Sequence, residues 1–225
     1  MPKTLIEPFR IKSVEPIRMT SRADRERLLT EARLNVFKLR ADDVLIDWLT
    51  DSGTGAMSSR QWGAIMEGDE SYAGARSFYR LEKVIQDITG MPHFVPTHQG
   101  RAAEKVLFSA VCKAGELVPN NCHFDTTRGN LESMGVQALD LVIAEGLQPA
   151  RIHPFKGNID LARAEAVLKE QSDRIPFGML TVTNNTGGGQ PVSMANIRAY
   201  AAPPKKFGKP FVMDVCRVSE NATFI

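Results

Sequence analysis

The sequence predicts an α/β protein with a mainly parallel sheet and flanking helices. Short apolar runs alternate with segments of helical period from residue 44 onward, and polar, glycine-bearing loops recur where the runs end. The 225 residues are 43% hydrophobic and 24% charged, an ordinary globular composition with material for one large core or one and a half domains.

Residues 1 to 20 hold Pro2, Pro8 and Pro16 and alternate loosely, which suits an extended arm lying on another chain. Ser21 with Asp24 forms a capping box for a first helix, whose apolar face is Leu28, Leu29, Ala32 and Val36. Residues 1–43 are thus arm and first helix, and 44–225 the domain proper. Val44 to Leu49 reads as a strand. The turn behind it holds Gly53-x-Gly55, a weak start to a dinucleotide fingerprint, because Ser58 stands where the third glycine belongs. Ser58 and Gln61 make a second capping box, for a helix through Met66. Gly68 to Gly74 is a polar loop whose Tyr72 is either a surface anchor or a proton donor. Phe78, Leu81, Ile85 and Ile88 form a helical core stripe that Gly90 terminates.

Residues 93–97 supply strand-like pieces, His98-Gln99-Gly100-Arg101 a tight turn, and Ala103, Val106, Leu107, Ala110 and Val111 one face of a helix. Free N–H groups in that helix's first turn, with the Arg101 fork, would make an anion site; a plain βα loop fits these residues equally. Leu117-Val118 leads through Asn120 and Asn121 into a polar turn, residues 122–128, where Phe124 is core or lies flat on a planar ligand. Strands over 138–143 and 177–183 bracket a helix over 161–172. The loop from Asn184 to Pro191 has three glycines and no P-loop lysine, and the helix that Ser193 caps should break at Pro203-Pro204. Phe211-Val-Met213 then stops on Asp214, with Arg217 three residues on. An acid closing a buried strand faces the usual ligand position of an open α/β sheet, or else caps the next turn.

A net charge of +2, with no basic run longer than Lys205-Lys206, gives no stripe for tracking nucleic acid. No apolar run has the length of a membrane span, and charges and prolines interrupt any signal-peptide centre. Cys112, Cys122 and Cys216 form no C-x-x-C pair, and the four histidines lack metal-site spacing. These features imply free thiols in a reducing, cytoplasmic setting.

Seven segments taken together resemble one family: Glu7-Pro-Phe-Arg-Ile-Lys12, Thr50-Asp-Ser-Gly-Thr54, Gly68-Asp-Glu-Ser-Tyr-Ala-Gly74, Pro96-Thr-His-Gln-Gly-Arg101, Phe155-Lys-Gly157, Gly188-Gly-Gln-Pro-Val-Ser-Met-Ala-Asn196 and Glu220-Asn-Ala222. In this order they look like the β-eliminating lyases, the family of tryptophanase and tyrosine phenol-lyase. The resemblance implies a pyridoxal-phosphate-dependent large domain of the aspartate-aminotransferase type, amino acid catabolism, a homotetramer and a potassium ion. It gives Asp214 the pyridinium nitrogen, Arg217 and Asn185 the ring's phenolate oxygen, Phe124 the ring face, and Gln99, Gly100 and Arg101 the phosphate. Thr50 and Ser52 would line the substrate site, and Tyr72 would serve a neighbouring subunit as general acid. Gly53 and Glu70 would bind potassium. Asp125, after the stacking Phe124, resembles the indole-releasing rather than the phenol-releasing side.

Family members continue past the Glu-Asn-Ala segment, and their Schiff-base lysine and carboxylate-binding arginine lie there. The expectation is a truncated N-terminal portion, inactive by itself, or alternatively a non-catalytic partner of an intact paralogue. Lys156 is the lysine nearest by loop position to replace the missing one, and otherwise reads as a solvated loop charge.

Overall fold

Four short parallel strands carry the domain: β1 (Leu117–Asn120), β2 (Gln137–Asp140), β3 (Gly178–Thr181) and β4 (Phe211–Asp214). They belong to a computed structural model that describes residues 16–47 and 57–225. β1 pairs in parallel with β2, Leu117 opposite Gln137, and β3 with β4, Gly178 opposite Phe211. β1 also lies beside β3, so the spatial order is β2-β1-β3-β4. The chain leaves β1 toward one side for β2 and returns on the other side for β3. That reversal is the switch point at which open α/β sheets bind ligands.

The chain divides into two compact units, residues 1–90 and 91–225. The first holds α1 (Arg22–Glu31), α2 (Ser59–Met66) and α3 (Arg76–Thr89). Both capping boxes read from the sequence form, Ser21 with Asp24 and Ser58 with Gln61, and Gly90 closes α3 at φ 70°. The stripe on α3 is not core: Leu81 and Ile88 are exposed. Val44 to Asp47 form no strand. Val44 and Leu45 follow a 3₁₀ turn (Ala41–Asp43) and line an apolar groove with Leu28 and Leu29. Residues 48 and 49, the rest of that expected strand, lie outside the described residues.

The second unit holds α4 (Gly100–Val111), α5 (Asp125–Glu132), α6 (Leu161–Gln171), α7 (Met194–Lys206) and α8 (Val218–Phe224). Alternation along β3 shows the layering. Met179 joins Phe108 of α4, Leu131 of α5 and Val118 in one core, while Leu180 joins Ala164 of α6 and Tyr200 of α7 in another. Helices therefore cover both faces, as a buried parallel sheet requires. Phe108 stacks on Phe177 at 5.9 Å.

Several local expectations change. Residues 93–97 are not a strand, since Pro92 and Pro96 remove ladder donors. α4 buries Phe108 and its C-cap Cys112, and turns Val106 and Val111 outward. The polar turn after β1 is a helix from Asp125, with an acid at its positive end. β2 stops at Asp140, and Val142 pairs instead with Ile159 as an antiparallel bridge. α7 runs through Pro203-Pro204. The prolines fall in its last turn, where few helical bonds are lost, and a Cβ on Gly178 would meet the Pro204 ring, so buried Pro204 packs directly on β3. Among the described residues no helix is long and apolar enough to cross a membrane.

The β1–β3 seam is closed by side chains. Asn121, fully buried, accepts from Thr181 N–H at 2.9 Å and donates to the Thr181 carbonyl at 2.8 Å, mimicking a backbone peptide. The same amide donates to the Gly157 carbonyl at 2.8 Å, and Asn120 donates to Thr181 Oγ1 at 3.0 Å. Removing the amide strands buried backbone groups. Asn121→Ala is expected to lower stability by roughly 2–4 kcal/mol, read from urea unfolding at constant m; an unmoved midpoint would refute the seam's role.

Candidate active site

The four strand exits form one hydrogen-bonded rim. Val182 N–H donates to the Asp214 carbonyl at 2.9 Å, and Arg217 N–H donates to the Val182 carbonyl at 3.3 Å, so the exits of β3 and β4 are joined. Thr186 Oγ1 donates to the His123 carbonyl at 2.9 Å, joining the exits of β1 and β3. Phe124, the N-cap of α5, follows His123 directly, and Asn185 precedes Thr186. Phe124, Asn185, Asp214 and Arg217 are thereby gathered, all half-buried. Asp214 Oδ1 also accepts the Cys216 N–H at 3.1 Å, so it caps the turn after β4 and faces the strand exit as well.

The first turn of α4 stands beside α5. Asn130 donates to the Arg101 carbonyl at 3.2 Å, and Glu104 accepts from Thr126 and Thr127 at 3.2 and 2.5 Å. Gln99, Gly100, Arg101 and Asp125 are exposed there. No Cβ contact lies within 4 Å of Gly100, so the approach to the helix N-terminus is open.

Sequence reading missed a polar network under this rim. His123, its ring fully buried, has Nδ1 2.7 Å from Asp140 Oδ1, while Asp140 Oδ2 accepts from Arg128 at 2.7 Å. Burial pushes the Asp140 carboxyl up, yet the His123 hydrogen bonds and the nearby charges outweigh it and hold the group below its ordinary value. The signal was present, for Ala138-Leu139-Asp140 is another short apolar run ending in an acid. Lys156 is likewise not solvated: it is buried and donates to the carbonyls of Gln148 at 2.6 Å and Pro149 at 3.3 Å. Three buried side-chain atoms among the described residues have no partner, His123 Nε2, Thr183 Oγ1 and Asn184 Nδ2, and all belong to the exits of β1 and β3.

In the first unit, Asp69 organises the loop before α3. Its carboxylate accepts the N–H groups of Arg76 and Ser77 at 2.8 and 3.0 Å and the Ser77 hydroxyl at 2.6 Å, which hold it well below the usual carboxylate range. Glu70 and Tyr72 project from this loop, Tyr72 wholly exposed at 109%. Thr50, Ser52 and Gly53 lie outside the described residues.

The sequence profile of a family described as "Beta-eliminating lyase" matches residues 47–225. The chain belongs to the β-eliminating lyase family. Tryptophanases of Hyphomonas neptunium and Rhodobacter capsulatus are 63% and 62% identical over 223 residues, which is 99% of this chain and 49% of each relative. A tyrosine phenol-lyase of Symbiobacterium thermophilum is 49% identical over 226 residues, covering 49% of that protein. The chain thus spans about half the length of the curated relatives it matches. Among solved structures, a SepCysS–SepCysE N-terminal domain complex superposes with TM-score 0.53 at 17% identity, covering 68% of this chain and 40% of that one. Cystalysin from Treponema denticola, whose crystals contain a pyridoxal 5'-phosphate cofactor, gives 0.50 at 11% identity, covering 68% of this chain and 38% of that one. Both likenesses show the fold, that of the aspartate-aminotransferase-like large domain.

Two outcomes follow. Because the Asp140 carboxyl titrates lower folded than unfolded, its contribution is full above the unfolded value of ~3.9 and is lost as pH falls through the native one. Asp140→Asn should therefore be less stable than wild type at pH 7, with the gap narrowing in acid; urea midpoints across pH that keep a constant gap would contradict this. Asp69→Ala should release the 68–75 loop, seen as faster proteolytic cutting there; unchanged cutting would show that the loop is held otherwise.

Proposed function

We propose that this chain is the N-terminal, cofactor-binding portion of a pyridoxal-phosphate-dependent lyase that releases indole, pyruvate and ammonia from tryptophan. The observation that carries the reading is the rim itself, where Asp214, Arg217, Asn185 and Phe124 meet at the switch point of the sheet. The donor set fits a flat, phosphorylated cofactor: a carboxylate, a cation, an amide and an aromatic ring at the strand exits, an open helix N-terminus with Arg101, and buried polar atoms without partners beside them. When bound, pyridoxal phosphate supplies an electron sink for the substrate's α-carbon.

Asp214 would keep a proton on the cofactor's ring nitrogen, since a carboxylate beside it favours the charged form. Arg217 and Asn185 would bind the ring oxygen, Phe124 would cover one ring face, and Gln99, Gly100 and Arg101 would hold the phosphate. Asp125, with Thr50 and Ser52, would address the substrate. Tyr72 would give a proton to the leaving group in a neighbouring subunit of a homotetramer, and Gly53 and Glu70 would bind potassium in a cytoplasmic enzyme. Identities of 63% and 62% to two tryptophanases against 49% to a tyrosine phenol-lyase support indole as the leaving group.

Equilibrium dialysis of the chain with pyridoxal 5'-phosphate is expected to show one site, weakened about tenfold by Arg101→Ala, because a fixed cation on phosphate is lost. Binding that ignores this substitution, or no binding, would overturn the cofactor reading. Co-expression with the C-terminal half of the Hyphomonas neptunium tryptophanase should yield indole from L-tryptophan. Phenol from L-tyrosine instead would overturn the choice of leaving group.

A further inference from the structure

We propose that His123 is a positioning residue of this site, which, clamped to Asp140 by ring and backbone together, sets Phe124, Asp125 and Asn185 relative to one another. What those three residues hold rests on the reading above; the positioning does not. Asp140 Oδ1 accepts from the His123 N–H at 2.9 Å and faces Nδ1 at 2.7 Å, so one oxygen fixes both the main chain and the ring of the residue before Phe124. Asp140 Oδ2 accepts from Arg128 at 2.7 Å, and Arg128 also donates to the Ala138 carbonyl at 3.2 Å and to Glu132 at 3.0 Å. Arg128 lies on α5, whose first residue is Asp125 and whose N-cap is Phe124. The end of β2 is thus tied to the start of α5 through a single carboxylate. On the other side, the His123 carbonyl accepts the Thr186 hydroxyl next to Asn185.

The chemistry of the ring explains why histidine stands here. An ionised carboxylate only accepts, so the proton between the two belongs on Nδ1. Nε2 is buried and has no partner. A phenylalanine would fill the same space without an unsatisfied nitrogen, so the polar ring is accounted for by the bond that Nδ1 makes.

Three substitutions separate positioning from bulk. His123→Phe keeps the volume and removes the clamp, His123→Asn places an amide nitrogen near the Nδ1 position, and His123→Gln places one near Nε2. The readouts are imidazole nitrogen shifts in wild type and amide order parameters for Phe124, Asp125 and Asn185. The expected result is a proton on Nδ1, loss of order at those three amides in the Phe and Gln variants with the rest of residues 91–225 unchanged, and recovery in the Asn variant. A ring protonated on Nε2 alone, or equal order in wild type and His123→Phe, overturns the proposal. If His123→Phe does not fold, equal order in the Asn and Gln variants overturns it instead. With pyridoxal 5'-phosphate as probe, the Phe and Gln variants should bind about tenfold more weakly than wild type and the Asn variant. Wild type that binds none refutes the cofactor reading, while the order parameters still decide on His123.

Discussion

The fold depends on how β1 and β3 meet. Parallel neighbours are ordinarily joined by a backbone ladder, but here the joint is closed at its carboxyl end by the Asn121 side chain, whose amide offers Thr181 the donor and acceptor that a strand would. β1 and β3 lie side by side without a ladder of their own, so the side chain supplies the joint. Beyond Thr181 no ladder joins the two chains, and the exits of β1 and β3 are held instead by the Thr186 hydroxyl on the His123 carbonyl. The same amide holds Gly157, whose own closeness to Gln190 and Pro191 leaves no room for a Cβ. One buried asparagine thus locates the segment from Phe155 to Gly157, the glycine-rich loop and the sheet with respect to each other.

β3 is the element that both cores share. Its neighbours Met179 and Leu180 point to opposite faces, so displacing the strand by one residue would exchange the partners of α4 and α5 for those of α6 and α7. Gly178 prevents the slip from the other direction, since the Pro204 ring and the Tyr200 hydroxyl occupy the space a side chain would need. Tyr200 in turn reaches across to the Pro119 carbonyl of β1 at 3.3 Å, so α7 is fastened to both strands at the switch point. The rim residues at the end of β3 inherit their position from this packing.

Legibility in the sequence followed the range of the interactions involved. Capping boxes at Ser21 and Ser58 and the stop at Gly90 are contacts within a few residues, and they form as read. Asp214 was legible because an apolar run ends on it, and Asp140 carries the same pattern, hidden by a reading that extends the run to Ile143. What ends β2 is a bridge from Val142 to Ile159 across the fold, which no local pattern shows. α4 was read with Val106 and Val111 on its inner face, and the burial of Phe108 against Phe177, a residue far along the chain, turns them outward. Propensity called for a break at Pro203-Pro204, and packing on Gly178 prevails. The charge on Lys156 looks solvated in sequence because its partners are backbone carbonyls, which carry no residue signature.

The loop of Glu70 and Tyr72 shows how a local constraint prepares a distant use. A side chain that transfers a proton to a leaving group acts where water is excluded, and Tyr72 is wholly exposed in this unit. Its proposed role therefore requires a surface beyond the one its own loop provides. Ordering a flexible loop on such a surface would subtract from binding, about 0.5–1.5 kcal/mol for each side chain immobilised. Asp69 removes much of that penalty in advance, because its carboxylate already joins the loop to the first turn of α3 through Arg76 and Ser77. Arg76 and Ser77 donate to that carboxylate the N–H groups that the first turn of α3 leaves without a helical partner, so the contact that starts α3 also closes the loop that carries Tyr72.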